Sequence, residues 1–214
     1  EVRAEERRAR DAEEVLLEML DQDCEQREQV TRQLMKLYEQ ERDWPNAIAM
    51  GERLIKGDAK IAPILAQYCC EEAEGQVARS ELGPARRTLR RALGFDKECV
   101  RASVDLGRLE MREQNWEAAI AAFRRIWDQD RDFFDEYLDD LRQCYEQLEQ
   151  EEDFIRMLAD YSAEHPSTAR VLVLSGQLKE RYGDREAAKF IAEYMQANPL
   201  SLIHISEPTR PSQI

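Results

Sequence analysis

Apolar positions recur along this chain at a helical spacing. In each occurrence a small or apolar residue is followed by a second four positions later and a third seven positions later. Offsets of four and seven place all three side chains on one stripe of an α-helix. The pattern occurs six times, at Ala12/Leu16/Met19, Ala47/Gly51/Leu54, Ala85/Leu89/Ala92, Ala119/Phe123/Ile126, Phe154/Leu158/Tyr161 and Ala187/Ile191/Tyr194. The sequence therefore predicts six helices with an apolar face.

These stripes repeat at a nearly constant step. Their first members are 35, 38, 34, 35 and 33 residues apart, and a second helical segment precedes each stripe after the first. A helix pair repeated every ~34 residues, with small residues where the helices cross, is the tetratricopeptide pattern. An unrelated helical bundle would not keep this step. Sparse, non-alternating β-branched residues argue against strands.

The predicted fold is all-α, a tetratricopeptide-repeat solenoid of antiparallel helix pairs in a right-handed superhelix. Residues 1–27 are predicted to be the second half of a truncated repeat and a linker. Five repeats are predicted at residues 28–65, 66–99, 100–134, 135–167 and 168–199. Helix crossings and repeat ends are assigned to Ala47, Ala85, Gly107, Ala119, Phe123, Phe154, Pro166, Ala187 and Pro199.

The net charge of the chain limits the classes of partner that it is expected to bind. The chain has 45 acidic and 31 basic residues and a net charge of -14. Nucleic-acid binding is disfavoured, because it requires Lys and Arg to neutralise phosphates. Local basic runs are interleaved with apolar positions and are interpreted as solvated helix faces rather than a phosphate-binding patch. No apolar run approaches the ~20 residues that span a bilayer, and no signal peptide is visible.

The cysteine pattern does not indicate a metal site. The five cysteines, Cys24, Cys69, Cys70, Cys99 and Cys144, include no C-x-x-C pair. We expect these cysteines to be free, buried thiols in a reducing compartment. Adjacent residues on a helix point ~100° apart, so Cys69 and Cys70 are predicted to be one buried and one partly exposed rather than a redox pair.

No catalytic constellation is apparent. The sequence has no G-x-S-x-G, P-loop or glycine-rich phosphate cradle, and His165 stands alone before a proline at a repeat boundary. Carboxylates three or four residues from Arg or Lys are typical of solvated ion pairs along a helix. The chain is therefore predicted to be non-catalytic, with no metal and no cofactor.

Protein binding is the expected activity instead. The first helix of each pair lines the concave side of such arrays, and a basic face with apolar gaps suits an acidic, hydrophobic partner segment. The alternative is an ordinary solvated face. The residues predicted to bind a partner are Arg32, Lys36, Arg101, Val104, Arg108, Met111 and Arg112.

The succession of segments resembles the lipopolysaccharide assembly protein B family of Gram-negative bacteria. It comprises "LMKLYEQERDWPNAIAMGERLIK", "APILAQYCCEEAEGQ", "ARRTLRRALGFDKECVRASVDLGRLEMREQNWEAAIAAFRRIWDQD" and "LRQCYEQLEQEEDF". The pair Tyr68-Cys69 and the stretch "QDRDF" fit as well. No single motif is diagnostic, and the resemblance extends from about residue 8 to Pro199.

The resemblance implies an adaptor on the cytoplasmic side of the bacterial inner membrane. Such a protein would help a membrane-bound ATP-dependent protease degrade the deacetylase that commits precursor to lipopolysaccharide synthesis. It also implies an N-terminal membrane anchor and a C-terminal rubredoxin-like domain binding iron or zinc, neither of which these 214 residues contain. Expected partners are thus the protease and the deacetylase, and a homo-oligomer is allowed. The alternatives are a tetratricopeptide scaffold of another bacterial complex and the repeat region of a larger enzyme.

The last fifteen residues differ from the rest. "LSLIHISEPTRPSQI", residues 200–214, has no helical periodicity. It resembles the translation of a transposon adapter used in sequencing libraries, so this segment is predicted to be non-native and His204 is not a candidate ligand. The alternatives are a native tail, with a short closing helix, or a frameshift.

Overall fold

The computed structural model describes residues 2–21 and 26–197, and this part of the chain is built from helices, with no strand. Its α-helices are α1 Val2–Asp21, α2 Arg27–Glu41, α3 Trp44–Leu54, α4 Ile61–Ala78, α5 Leu82–Phe95, α6 Val100–Arg112, α7 Trp116–Gln129, α8 Leu138–Gln147, α9 Glu151–Glu164, α10 Thr168–Tyr182 and α11 Asp184–Ala197. A 3₁₀-helix, Phe133–Tyr137, precedes α8.

The helices form two compact units, Glu1–Glu113 and Gln114–Ile214. In the first unit α2 packs against α3, α4 against α5, and α4 and α5 against α6. In the second unit α8 packs against α9 and α10 against α11. Consecutive helices joined by short turns and packed together are antiparallel hairpins. The predicted all-α fold of helix pairs is confirmed.

A recurring turn follows each of the helices α2, α4, α6, α8 and α10. One residue of every turn has a positive φ: Arg42 (57°), Ser80 (63°), Gln114 (60°), Glu149 (57°) and Gly183 (91°). In the α4–α5 turn, the Ser80 and Glu81 amides donate to the carbonyls of Val77 and Gln76. This left-handed cap satisfies the last carbonyls of the first helix and reverses the chain.

The repeated stripes form the cores of the pairs. The first stripe residues Ala47, Ala85 and Ala119 are fully buried, and Phe154 and Ala187 are nearly so. Burying such side chains is the main term that stabilises a helix lacking strong intrinsic propensity. The stripe of α1 differs, since Ala12 and Met19 are exposed.

Other sequence assignments are located as follows. Helix α4 begins at Ile61, so the predicted repeat limit between residues 65 and 66 falls inside a helix. Gly107 is buried in α6, and Pro166 is exposed between α9 and α10. Cys24, Pro199 and the predicted tail lie outside the described residues.

In the second unit, a buried arginine of α10 contacts both the 3₁₀-helix and α7. Arg170 of α10 is fully buried, and its Nη1 lies 2.6 Å from Oδ1 of Asp135 in the 3₁₀-helix. The guanidinium also lies 4.8 Å from the ring centroid of Trp127, which stacks on Tyr161 at 4.1 Å. Burial lowers the pKa of Arg170 against the opposing effect of Asp135. The ion pair and the cation–π contact compensate for the desolvated charge.

Candidate partner-binding groove

A surface groove of about 360 Å³ lies between α4, α5 and α6 in the first unit. We call it the α4–α6 groove. Its apolar lining is Ala73, Val77, Leu82, Leu89 and Leu109, and its charged lining is Glu74, Asp105, Arg108 and Arg112.

Helix periodicity explains how these side chains meet. On α6, Asp105, Arg108, Leu109 and Arg112 are separated by three, four and seven residues, which places them on one stripe. On α4, Ala73 and Val77 are one turn apart. Because α4 packs against α6 in this unit, the two stripes become the walls of the groove.

Arg101 joins the two walls at one end. Its Nη1 lies 2.5 Å from Oε1 of Glu71, and its Nη2 lies 3.0 Å from Oε2 of Glu74. A longer contact of 3.7 Å reaches Asp105 on its own helix. Arg101 therefore connects α6 to α4 and has much of its charge already compensated by this chain.

A second ion pair lies behind the groove. Glu110 of α6 is 2% exposed and accepts hydrogen bonds from Arg86 of α5, at 2.7 Å from Nε and 3.0 Å from Nη2. Arg90 approaches the same carboxylate at 3.7 Å. A bidentate arginine is the geometry that best compensates a buried carboxylate. This ion pair links α5 to α6, two of the helices that line the groove.

The charged lining contains both signs. The lining holds two carboxylates, of Glu74 and Asp105, and two guanidinium groups, of Arg108 and Arg112. Burial raises the pKa of Asp105, and the nearby Arg101 and Arg108 oppose this rise. The groove is therefore apolar with balanced charge, rather than basic as the sequence suggested.

The seven residues predicted to bind a partner lie in different environments in the structure. Arg108 and Arg112 line the groove, and Met111 is half-buried on the same helix. Val104 is 5% exposed and belongs to the core.

Arg32 and Lys36 lie on α2, away from the α4–α6 groove lining. Lys36 is exposed. Arg32 contacts Glu28 at 2.8 Å and Asp58 at 2.9 Å. Asp58 belongs to the segment between α3 and α4, so this contact links different elements.

Sequence reasoning missed the two carboxylates and the apolar lining of the groove. Glu74 and Asp105 looked like members of solvated pairs along a helix, and Leu89 was assigned only to the helix core. The available signal was the spacing of Ala73 and Val77, which matches that of Asp105 and Leu109. Finding the groove also required knowing that α4 contacts α6, two helices further along the chain.

The cysteines depart from their prediction. Cys69 and Cys70 are both fully buried, so the expectation of one partly exposed thiol is wrong. Helix α4 packs against α3, α5 and α6, which covers more than one of its faces. Desolvation raises the pKa of Cys69 to about 11.

Two further observations concern chemistry and membranes. His165 ends α9, and its Nε2 lies 3.0 Å from Oδ1 of Asp132. In residues 2–21 and 26–197, no three His, Cys, Asp or Glu side chains are grouped as metal ligands would be. Across the same residues, no helix combines the length and apolar character needed to cross a bilayer.

Fold and groove together define a class: an all-α helical-repeat protein with an apolar surface groove flanked by charges. No family model matches the chain. Its sequence is 29% identical over 169 residues to lipopolysaccharide assembly protein B of Escherichia coli (strain K12), covering 78% of this chain and 43% of that protein. The protein of the same name from Haemophilus influenzae is 28% identical over 181 residues, covering 82% of this chain and 44% of that protein. The resemblance found in the sequence is confirmed, and the chain spans less than half the length of these curated relatives.

Solved structures with a similar course of helices include the crystal structure of MamA protein. It matches with a TM-score of 0.47 and 13% identity, covering 87% of this chain and 99% of that chain. A MamA RS-1 double mutant matches with a TM-score of 0.44 and 12% identity, covering 84% and 97%. The fold assignment rests on the helix pairs described above rather than on these likenesses.

Proposed function

We propose that this chain is the protein-binding part of a non-catalytic adaptor in lipopolysaccharide assembly. The observation that carries the proposal is the α4–α6 groove, which lies within the region similar to lipopolysaccharide assembly protein B. An apolar floor with a few converging charged groups is the usual composition of a protein-binding surface. The groove offers no nucleophile paired with a base, so its chemistry suits binding.

The charged side chains of the groove indicate what kind of partner segment it would bind. Arg108 and Arg112 can donate to a carboxylate, and the half-buried Val77 and Leu82 offer apolar surface. Glu74 would disfavour a second acidic group at the α4 wall, and Asp105 would disfavour one beside it on α6. The partner segment is thus apolar, with an acidic side chain toward α6.

The family resemblance of the sequence implies which proteins would carry this segment. By resemblance, they are a membrane-bound ATP-dependent protease and the deacetylase of the committed step, and the adaptor would promote proteolysis of the deacetylase. It would act on the cytoplasmic side of the inner membrane. The second candidate is a scaffold of another bacterial complex, for which the same groove would hold a different protein.

The test is a charge reversal in the groove. The double variant Arg108→Glu/Arg112→Glu should reduce capture of the protease or the deacetylase by the purified chain at least ~10-fold, because two attractive charges become repulsive. Arg101 is left intact, because its contacts with Glu71 and Glu74 hold α4 to α6. Pull-down yields and dissociation constants are measured, with circular dichroism to check folding.

Arg87→Glu is the matched control. Arg87 is exposed on α5 and does not line the groove. Its reversal changes the net charge by the same amount per residue, so it should leave binding within about two-fold. Equal capture by the folded double variant and the control would contradict the groove as the binding site. Failure of the wild-type chain to capture either protein would instead favour the scaffold of another complex.

A further inference from the structure

Two cysteines from different helices approach each other in the first unit. The Sγ atoms of Cys70 and Cys99 are 4.0 Å apart, although the residues are 29 positions apart in the chain. Cys70 lies inside α4, and Cys99 is the residue that precedes the first turn of α6. Both side chains are buried, at 0% and 4% exposed.

The surroundings of Cys99 favour its thiolate. The exposed side chain of Gln67 donates from Nε2 to Cys99 Sγ at 3.6 Å. A cysteine at a helix N-terminus is also near unpaired backbone N–H groups. The hydrogen bond from Cys70 and the backbone N–H of Ala102 lower the pKa of Cys99 against the opposing effect of burial. The hydrogen bond to Cys99 and burial raise the pKa of Cys70.

The turn that precedes Cys99 is exposed to solvent. The residue follows the exposed pair Lys97 and Glu98, and its backbone N–H contacts the carbonyl of Asp96 at 3.3 Å. Opening this turn, a local event of the kind that costs less than global unfolding, uncovers the sulfur. A small oxidant can reach it there.

We propose that Cys70 and Cys99 form an intrachain disulfide when the protein meets hydrogen peroxide. The Cys99 thiolate attacks one peroxide oxygen and the O–O bond breaks, giving a sulfenic acid and hydroxide, which takes up the thiol's proton as water. The Cys70 sulfur then attacks the sulfenic sulfur and displaces the hydroxyl, which leaves as a second water with the Cys70 proton. Two thiols are oxidised and one peroxide is reduced to two waters.

The geometry needs only a small adjustment. A disulfide requires a sulfur separation of ~2.05 Å, so each sulfur moves ~1 Å. The bond would fix α4 to α6 one turn from Ala73, which lines the groove. Closing this loop restricts the unfolded chain and stabilises the first unit. This inference does not depend on the proposed function.

The experiment treats the reduced 214-residue chain with excess hydrogen peroxide. Free thiols are then blocked under denaturing conditions, and the chain is digested with trypsin. The expected product joins residues 61–79 to residues 98–101, and a thiol reductant separates them. The melting temperature of the oxidised protein should rise by ~5 °C or more, because the crosslink lies within one folded unit.

Neighbouring cysteines provide the controls. Cys69→Ala should still form the Cys70–Cys99 crosslink. Cys70→Ala cannot form it, and any joining of the same two peptides through Cys69 should be at least ~10-fold slower. Cys144→Ala should behave like the wild-type chain, because Cys144 lies in the other unit. Crosslinking that is equal in the Cys70→Ala variant, or oxidised wild-type protein with no joined peptides, would overturn the proposal. So would a product joined only between chains.

Discussion

Gly51 is a residue whose side chain is excluded by its neighbours. A Cβ at this position of α3 would overlap Cδ2 of Leu65 and lie 3.1 Å from its Cγ. It would also lie 3.3 Å from Sδ of Met35. Leu65 is fully buried on α4, so its side chain cannot move into solvent to make room. The glycine is therefore required for the close approach of α3 to α4.

Gly51→Leu should lower the free energy of unfolding by about 1–3 kcal/mol, because overpacking forces strained rotamers or backbone shifts. Urea unfolding followed by circular dichroism measures the change. Gly94→Leu is the matched control, since Gly94 is exposed on α5 and an added Cβ meets nothing within 4 Å. The control should stay within about 0.5 kcal/mol of the wild type. A Gly51→Leu variant as stable as this control would refute the packing argument.

The sequence predicted residue positions better than residue partners. The spacing of stripe residues such as Ala47 and Phe123 follows from the helix period, and both are fully buried. Arg101 was assigned to a partner and instead pairs with Glu71 and Glu74 on another helix. Arginines that face solvent and arginines that cross to a neighbouring helix have the same spacing, so only the relative placement of α4 and α6 distinguishes them.

At the scale of elements, a positive φ recurs in five turns, those that follow α2, α4, α6, α8 and α10. The positive-φ positions follow one another at 38, 34, 35 and 34 residues, the step of the repeat itself. Gly183, with φ 91° and ψ 171°, has no side chain to be strained by a positive φ. For the other four residues, the left-handed region costs about 1–2 kcal/mol. The fold tolerates that cost because the turn caps one helix and sets the direction of the next.

Ser80→Gly should therefore stabilise the first unit. Removing the Cβ at a φ of 63° relieves the left-handed strain, and the larger entropy of glycine in the unfolded chain offsets part of the gain. The expected increase in the free energy of unfolding is about 0.5–1 kcal/mol, measured by urea denaturation. Ser80→Ala keeps the Cβ and is the control. A gain of equal size in both variants would show that the hydroxyl, rather than the backbone conformation, is responsible.

Element boundaries were predictable where they depend on local chemistry. Polar breaks such as "EQN" and "YGD" indicated turns, and the turns at Gln114 and Gly183 lie there. The start of α4 was harder to predict from the sequence. The segment "KIAPIL" contains a proline, which is tolerated in the first turn of a helix. The meeting of Glu74 and Asp105 in the groove escaped prediction because it depends on contact between two non-consecutive helices.

At the scale of the whole molecule, repulsion among the excess negative charges opposes the attraction within many close ion pairs. The net charge of -14 creates repulsion that is stronger in the compact state than in the extended chain. The ion pairs act in the opposite sense: for example, Arg91 lies 2.5 Å from Glu52 and Arg142 lies 2.6 Å from Glu146. Their spacing is far shorter than the Debye length of ~8 Å at physiological ionic strength, whereas most like charges are farther apart.

Salt should therefore stabilise this protein. Raising sodium chloride from ~0.01 to ~0.15 M shortens the Debye length from ~30 to ~8 Å, which screens the long-range repulsion more than the contacts within ion pairs. We expect the melting temperature to rise by a few degrees, as measured by differential scanning calorimetry, with potassium chloride giving the same shift. Arg87→Glu changes the net charge from -14 to -16, since one positive charge is replaced by a negative one, and should make the rise steeper. A melting temperature that falls with added salt would mean that the ion pairs outweigh the repulsion, and the acidic surface would then cost the fold little.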